Sequence, residues 1–374
     1  MKIVLLSAAS SIHTIRWANG LVDAGHEVHL ISQHQLVEGI DRRVRLYQFP
    51  YKGSLGYFWI VPKVKKLLKE IQPDIVNAHY ASGYGTTGRL SKWRPLLLSV
   101  WGSDVYDFPY KSMLHKLLVR QNLLAADAIG STSRCMAEQT RLIAPTLENI
   151  TITPFGVDIP YYQSLTRPLK DRDNSKSIVI GTVKALAPKY GIDTLLRAFA
   201  ILQKNLALSN PDLSAKLSLR IVGEGSQKEE LVSLAQILGV AHLVTFVGRV
   251  DNLDVPKELD KLDIYIALSR LDSESFGVAI VEAGAAGRPV VVSDAGGLPE
   301  VVLNGQTGIV VPRENPEAAA QAITRLILDR QLRIQMGEAG RQHVRDSYSW
   351  DSCVKTMVKL YEDVVCQHKS RNNF

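Results

Sequence analysis

The chain has 374 residues, 46% of them apolar, a net charge of +7 and three cysteines. That length is comfortable for two domains, each with a full core. Cys135, Cys353 and Cys366 include no C-x-x-C pair, which argues against a disulfide framework or zinc site and fits a reducing cytoplasm. No apolar stretch approaches the ~20 residues of a membrane span, and the opening run Ile3 to Leu6 is too short for a signal-peptide core, so a soluble or peripheral protein is expected.

Lys2–Ser7 reads as a strand, Thr14–Ala24 as a helix closed by Gly25, and Glu27–Ser32 as a second strand, a βαβ opening that calls for a parallel sheet. Its first turn, Ala8 to His13, lacks the G-x-G-x-x-G glycines of dinucleotide-binding folds, which argues against NAD. His13 sits at the helix start, either as a surface cap residue or facing a ligand. Ile75–Ala78 and Leu96–Val100 are further buried strands, ending at His79 and at Trp101-Gly102-Ser103-Asp104. Ligands of open α/β sheets bind at such strand ends, so Asp104 is a polar candidate, and His79 is a structural hydrogen-bonder or a ligand contact.

Residues 1–165 hold 18 Lys and Arg against 12 Asp and Glu, whereas the remainder is nearly balanced at 26 against 25. Lys63, Lys65, Lys66 and Lys69 ride one helical segment, and Lys111, His115, Lys116 and Arg120 another. Such basic amphipathic faces suit an anionic membrane surface or are ordinary solvated faces. Nucleic acid is not expected, because no aromatic-rich basic groove accompanies the charge.

A helix at Leu117–Ala126 and strands at Ala128–Ser131 and Ile150–Thr153 continue the alternation. The polar stretch Pro160 to Ser177 reads as an interdomain linker, and its Asp171-Arg172-Asp173 is a D-x-D match outside any strand end. A second βαβ series begins at Ile178–Val183, which divides the chain into domains at 1–160 and 178–348, a linker at 161–177 and a terminal helical segment at 349–374. Lys184 and Lys189 flank the strand-to-helix junction before the helix Ile192–Leu202, and there they either converge on a dianionic group or are exposed loop lysines. Leu217–Val222 and Thr245–Gly248 are strands, the first followed by the tight turn Gly223-Glu224-Gly225-Ser226. Helices are expected at Glu314 to Asp329, at Leu332 to Asp346 and from Trp350 to about Val365.

Between these lies the most informative stretch, Arg270 to Glu300, RLDSESFGVAIVEAGAAGRPVVVSDAGGLPE. Leu262–Ala267 and Pro289–Val292 are buried strands around it, and Ser275-Phe276-Gly277 opens a helix whose unpaired N–H groups favour an anion such as phosphate. Glu274 precedes that helix. Glu282 lies eight residues on among Ala279, Ile280, Val281 and Ala283, where a carboxylate needs a partner.

This stretch resembles the E-x7-E signature of the retaining GT-B glycosyltransferases, most closely glycosyltransferase family 4 (glycosyl transferases group 1). The resemblance implies an α/β fold of two Rossmann-like parallel-sheet domains facing across a cleft, with the C-terminal helix crossing back to the first domain. It implies transfer of a sugar from a nucleotide-sugar, UDP- or GDP-linked, with Glu274 at the sugar and Glu282 at the ribose. Ser275, Phe276 and Gly277 would bind the donor phosphates, Lys184 and Lys189 would clamp the diphosphate, and Gly248 with Arg249 would meet the base. His13 would reach the donor, and Asp104 would act in catalysis. No metal and no cofactor are expected. The acceptor is expected to be a lipid-linked saccharide of bacterial surface polysaccharide, such as lipopolysaccharide O-antigen or capsule, met peripherally at the inner membrane face. Departures from the family are Trp101 in place of a histidine, the missing glycine pair in the first turn, Lys184 at an arginine position and the intervening Tyr190. A nucleotide-sugar epimerase or a non-catalytic nucleotide-sugar-binding protein would share much of this pattern.

Overall fold

The computed structural model describes residues 1–173 and 177–372. By contacts the chain divides into two units, Met1–Phe155 with Trp350–Phe374, and Gly156–Ser349.

The first unit is built on a seven-stranded parallel sheet: β1 (Lys2–Leu6), β2 (Glu27–Ser32), β3 (Arg45–Gln48), β4 (Ile75–His79), β5 (Leu96–Val100), β6 (Ala128–Ser131) and β7 (Ile150–Ile152). Their order is β3-β2-β1-β4-β5-β6-β7. The central strands are apolar without alternation, as in KIVLL and LLLSV, because helices cover both faces of a parallel sheet. β1 pairs with β2 on one side and β4 on the other, so the winding direction reverses there, and right-handed crossovers send successive helices to opposite faces. One face is covered by helices Val61–Ile71, Gly83–Ser91 and Met113–Leu124, whose Val64, Leu68, Tyr84, Val119 and Leu123 pack onto Val4, Val76 and Leu98 of the strands.

The terminal helix Trp350–Asn372 belongs to this first unit. Its Trp350 ring lies 5.0 Å from that of Trp17, on the helix Ile12–Asp23, and a Cβ on Gly20 would come within 2.9 Å of the same indole. Arg16 stacks over Trp350 at 4.6 Å, and Asn77 of β4 donates to the Tyr361 hydroxyl at 2.8 Å.

The second unit carries β8 (Ile178–Val183), β9 (Leu217–Val222), β10 (Val244–Gly248), β11 (Ile264–Ala267), β12 (Val290–Ser293) and β13 (Gly308–Val311), ordered β10-β9-β8-β11-β12-β13 and parallel throughout. The reversal falls between β8 and β11. A ligand crevice is therefore expected beyond the carboxyl ends of these two strands.

The stretch read as a linker is structured as far as it is described. Asp158 caps a helix Ile159–Leu165 that buries Ile159 and Tyr162. Beyond it, Arg172 donates to the Leu262 carbonyl at 2.8 Å and pairs with Asp263 at 3.3 Å. Polar composition signalled a linker, but the polar groups pair with the second unit instead; residues 174–176 lie outside the described residues. The helix expected from Leu117 starts at Met113, because the Ser112 hydroxyl accepts from the His115 N–H, so Lys111 falls on the preceding turn Phe108–Lys111. The helix opening at Ile192 continues to Ser209.

Candidate active site

The carboxyl end of β8 delivers Lys184, and the loop after β11 delivers Glu274. Lys184 Nζ lies 2.7 Å from Glu274 Oε1, with both side chains almost enclosed. Burial disfavours the charged lysine, but the carboxylate of Glu274, with Tyr265 and Tyr190 behind it, outweighs burial and holds the ammonium protonated well above its ordinary range. The Tyr265 hydroxyl, fully buried, donates to the Val183 carbonyl at 3.1 Å and lies within electrostatic reach of both Lys184 and Glu282. Tyr265 gave no signal in the sequence beyond that of an apolar strand residue.

A cavity of about 630 Å³ opens here. Lys184, Glu282 and Arg249 line it together with the turn Gly223-Glu224-Gly225. The turn's glycines are required by close approach: at Gly223, whose φ is +144°, a Cβ would sit 1.9 Å from the Lys184 carbonyl oxygen, and at Gly225 one would sit 2.2 Å from that of Leu186. Gly223 N–H also donates to the Gly248 carbonyl at 2.8 Å, which joins the ends of β9 and β10 beside the same cavity. The turn, a weak signal alone, is thus the floor that holds the Lys184 backbone.

Glu274 is held by its loop. Gly297 N–H donates to its carbonyl at 3.0 Å and Gly296 N–H to the Asp272 carboxylate at 3.1 Å, while Ser293 Oγ donates to the Ser269 carbonyl at 2.5 Å. Arg270 pairs with Asp193 and Glu314, and Arg313 with Asp272 and Asp294, so both ends of the loop are braced by ion pairs. The Gly296-Gly297 pair admits this loop's backbone: a Cβ would sit 2.5 Å from the Glu274 carbonyl oxygen at Gly296 and 2.2 Å from that of Ser275 at Gly297.

Gly277 caps the helix Val278–Ala285 at φ +91°, and a Cβ there would meet Leu298 at 2.7 Å. Its glycine character is therefore required by backbone conformation and packing, whatever binds in front of it. Ser275 and Phe276 are buried, and the Phe276 ring packs edge-on to Tyr348 at 5.7 Å. Lys189 and Lys184 do converge, but on Tyr190: their ammonium groups lie 4.8 and 4.7 Å from its ring centre. The tyrosine that interrupts the family pattern is the plate between the two cations.

The candidates of the first unit form a separate group. Asp104 is 1% exposed, and its carboxylate accepts from the N–H groups of Ala81 (2.7 Å), Gly102 (2.8 Å) and Trp101 (3.1 Å). Burial pushes its pKa upward against those three bonds. The structure therefore corrects the catalytic expectation for Asp104: it fixes the loops after β4 and β5. His79 is likewise buried, its Nδ1 2.9 Å from Ser7 Oγ, and burial pushes it down to about 3, a neutral structural imidazole. Trp101 lies over His79, ring centres 4.2 Å apart. His13 stacks on Phe155 at 4.4 Å and meets Trp101 edge-on at 6.2 Å, and burial followed by the Arg16 charge holds it near 4. Its Nδ1 has no hydrogen-bond partner among the described residues.

A crevice beyond the ends of β8, β9 and β10, lined by Glu282, a glycine turn and a lysine that is itself paired to the buried Glu274, fits a group-transfer enzyme of the GT-B class. Residues 168–343 match the family described as glycosyl transferases group 1, and residues 2–133 match the glycosyl transferase 4-like family. The carboxy-terminal part of the chain thus falls in the group 1 glycosyltransferases and the amino-terminal part in the glycosyl transferase 4-like family, which sets the transferase reading above the epimerase and the binding protein. An uncharacterized glycosyltransferase of Methanocaldococcus jannaschii is 27% identical over 94% of this chain and 93% of its own length. A GDP-mannose-dependent alpha-(1-6)-phosphatidylinositol monomannoside mannosyltransferase of Mycobacterium tuberculosis is 36% identical over 45% of this chain and 43% of its own. The Anabaena protein Alr3699/HepE, solved in complex with UDP and glucose, superimposes with a TM-score of 0.77 at 20% identity, covering 97% of this chain and 99% of that one, which is a likeness of fold.

Proposed function

We propose that this glycosyltransferase moves a sugar from a UDP- or GDP-linked donor to a hydroxyl of a saccharide acceptor, with retention at the anomeric carbon and without a divalent metal. The observation that carries the reading is that Lys184, Glu282 and Arg249 line one crevice beyond the ends of β8, β9 and β10, with Lys184 paired to the buried Glu274. The acceptor hydroxyl attacks the anomeric carbon as the bond to the diphosphate breaks. The electron pair leaves with the diphosphate, and a phosphate oxygen takes the acceptor proton. Lys184 and the first N–H groups of the helix Val278–Ala285 stabilise the charge that develops on the leaving group. Glu274 exchanges Lys184 for the sugar hydroxyls when the donor enters, Glu282 takes the ribose, and Gly248 and Arg249 flank the base.

The acceptor is a lipid-linked saccharide, in the synthesis of a bacterial surface polysaccharide at the cytoplasmic membrane face. The basic excess of the first unit supports this, as does the phosphatidylinositol-linked acceptor in the mycobacterial relative's name. Among the described residues no helix is long and apolar enough to cross a membrane.

The test is a panel of UDP- and GDP-sugars scored by thermal shift, where a donor at a hundredfold over its Kd stabilises by about 2.7 kcal/mol. The donor that binds is then given to lipid-linked and water-soluble saccharides with and without EDTA, and the product anomer is read by NMR. Inversion of the anomeric configuration, or loss of activity in EDTA with recovery in magnesium, would overturn the mechanism.

A further inference from the structure

We infer that the first unit carries a bilayer-docking face made of two exposed apolar helix sides set among lysines, and that its partner is an anionic phospholipid membrane. This rests on the membrane-facing part of the proposed function and adds the surface that makes the contact.

The helix Met113–Leu124 is apolar on both sides. Val119 and Leu123 point into the core, while Met113, Leu114, Leu117 and Leu124 recur along the opposite, exposed side, with Leu114 77% accessible. Four apolar side chains along one exposed side make a patch rimmed by polar residues, the kind of surface that marks an interaction site. The helix Gly53–Trp59 repeats the feature on one turn: Leu55, Phe58 and Trp59 are exposed, Trp59 at 57%. The helix Gly83–Ser91 ties the two together. Thr87 Oγ1 donates to the Tyr57 carbonyl at 2.8 Å, and Asn122 of the Met113–Leu124 helix donates to Thr86 Oγ1 at 2.8 Å.

The charge around this face is mainly positive, with Glu70 lying 3.9 Å from Lys66 and Asp127 pairing with Arg94 at its margins. Residues 49–69 contain five lysines, and residues 75–103 and 108–126 contain three Lys or Arg each; none of the three segments has an Asp or Glu. Aromatic rings steady several of these cations: Lys63 lies 5.4 and 5.2 Å from the rings of Phe49 and Tyr51, and Lys116 lies 5.9 Å from that of Tyr110. Exposed Trp, Phe and Leu beside an excess of lysines match the acyl boundary and the anionic headgroups of one leaflet. Each such cation multiplies partition onto an anionic surface by about fivefold. The apolar side chains add a component that salt does not screen.

The test uses the full chain and phosphatidylcholine vesicles with and without phosphatidylglycerol, by co-sedimentation at low and high salt. The wild type is expected on anionic vesicles at low salt, with a retained fraction at high salt and a blue shift of Trp59 emission that is absent in Trp59→Phe. The triple variant Trp59→Ser, Leu114→Ser, Leu117→Ser changes only exposed positions, and is expected to lose at least tenfold in partition while keeping its donor-induced thermal shift. Equal binding by the triple variant, or no wild-type binding at low salt, would overturn the inference. So would a wild-type dimer in sedimentation equilibrium that the triple variant dissolves, because the face would then cover a second copy. Vesicle binding by an enzyme that accepts only water-soluble saccharides would leave the docking face standing and remove the lipid-linked acceptor.

Discussion

Replacing Glu274 with glutamine tests whether the lysine–carboxylate pair both stabilises the second unit and takes part in the reaction. The substitution keeps the shape and a hydrogen-bond acceptor 2.7 Å from Lys184 but removes the charge that offsets burial of the ammonium. Deleting one partner of a buried ion pair costs about 3–5 kcal/mol; with the acceptor retained, about 1–3 kcal/mol is expected. For a unit of this size each kcal/mol moves Tm by about 2–4 °C, so the ligand-free variant should melt about 2–12 °C lower. The pH dependence has a defined sign. In the wild type the lysine pKa is raised, so its stabilisation is present throughout the range below the ordinary lysine value and is lost only as pH rises through the elevated one. In Glu274→Gln burial is opposed only by Tyr265 and Tyr190 and is expected to depress that pKa, so the Tm deficit should narrow as pH rises and Lys184 sheds its proton. Adding Lys184→Met to Glu274→Gln should recover most of the melting temperature, since no unpaired charge remains. Turnover of the single variant should fall by about a hundredfold or more while UDP or GDP affinity holds or improves, because Lys184 no longer has to leave a carboxylate. An unchanged Tm and unchanged turnover would refute both roles of the pair, and additive losses in the double variant would refute its coupling.

Lys184→Ala should weaken binding of the nucleoside diphosphate by calorimetry more than that of the monophosphate, and equal losses would move Lys184 to a base or ribose contact. Gly223→Ala brings a Cβ to 1.9 Å from the Lys184 carbonyl at a φ of +144°, so about 1–3 kcal/mol of stability and most donor affinity should be lost together; a normal melting curve would contradict the packing of that turn. His79 is held near 3, below its ordinary 6.5, so it stabilises the fold above pH 6.5 and that contribution is lost as pH falls toward 3. Between pH 6.5 and 5 the loss is up to about 2 kcal/mol, and denaturant titrations of His79→Asn should show a correspondingly flatter acid limb.

Glu27–Ser32, Leu96–Val100 and Ala128–Ser131 were legible to the residue because a strand buried on both faces has abrupt ends, and Leu217–Val222 because its apolar and polar residues alternate with its burial. The helix Gly83–Ser91 was not, since its sequence GYGTTGRLS reads as a loop; its glycines admit neighbours instead, with a Cβ on Gly88 only 3.1 Å from Leu96 and 3.3 Å from Ala78. Strand β3, RLYQ at the sheet edge and partly exposed, carries no such run. In the candidate site, Lys184 and Glu274 were each legible as a cation at a strand end and an acid before a helix. Their bond joins positions 90 residues apart and appears only once β8 and β11 lie side by side. Asp104 misled because an exposed loop carboxylate and one saturated by three backbone N–H groups have the same local sequence.

The terminal helix sets an order on how the molecule is made. Trp350 and Tyr361 complete the surface around Trp17, Gly20 and Asn77, yet nearly two hundred residues of the second unit are translated in between. At roughly 5–20 residues per second, the first unit waits on the order of ten to forty seconds with that seam open. The second unit, continuous in sequence, has every strand it needs before the last helix leaves the ribosome. An exposed tryptophan and a bare glycine groove during that interval are what a chaperone would find on the nascent chain, and the site-bearing half is the first to be finished.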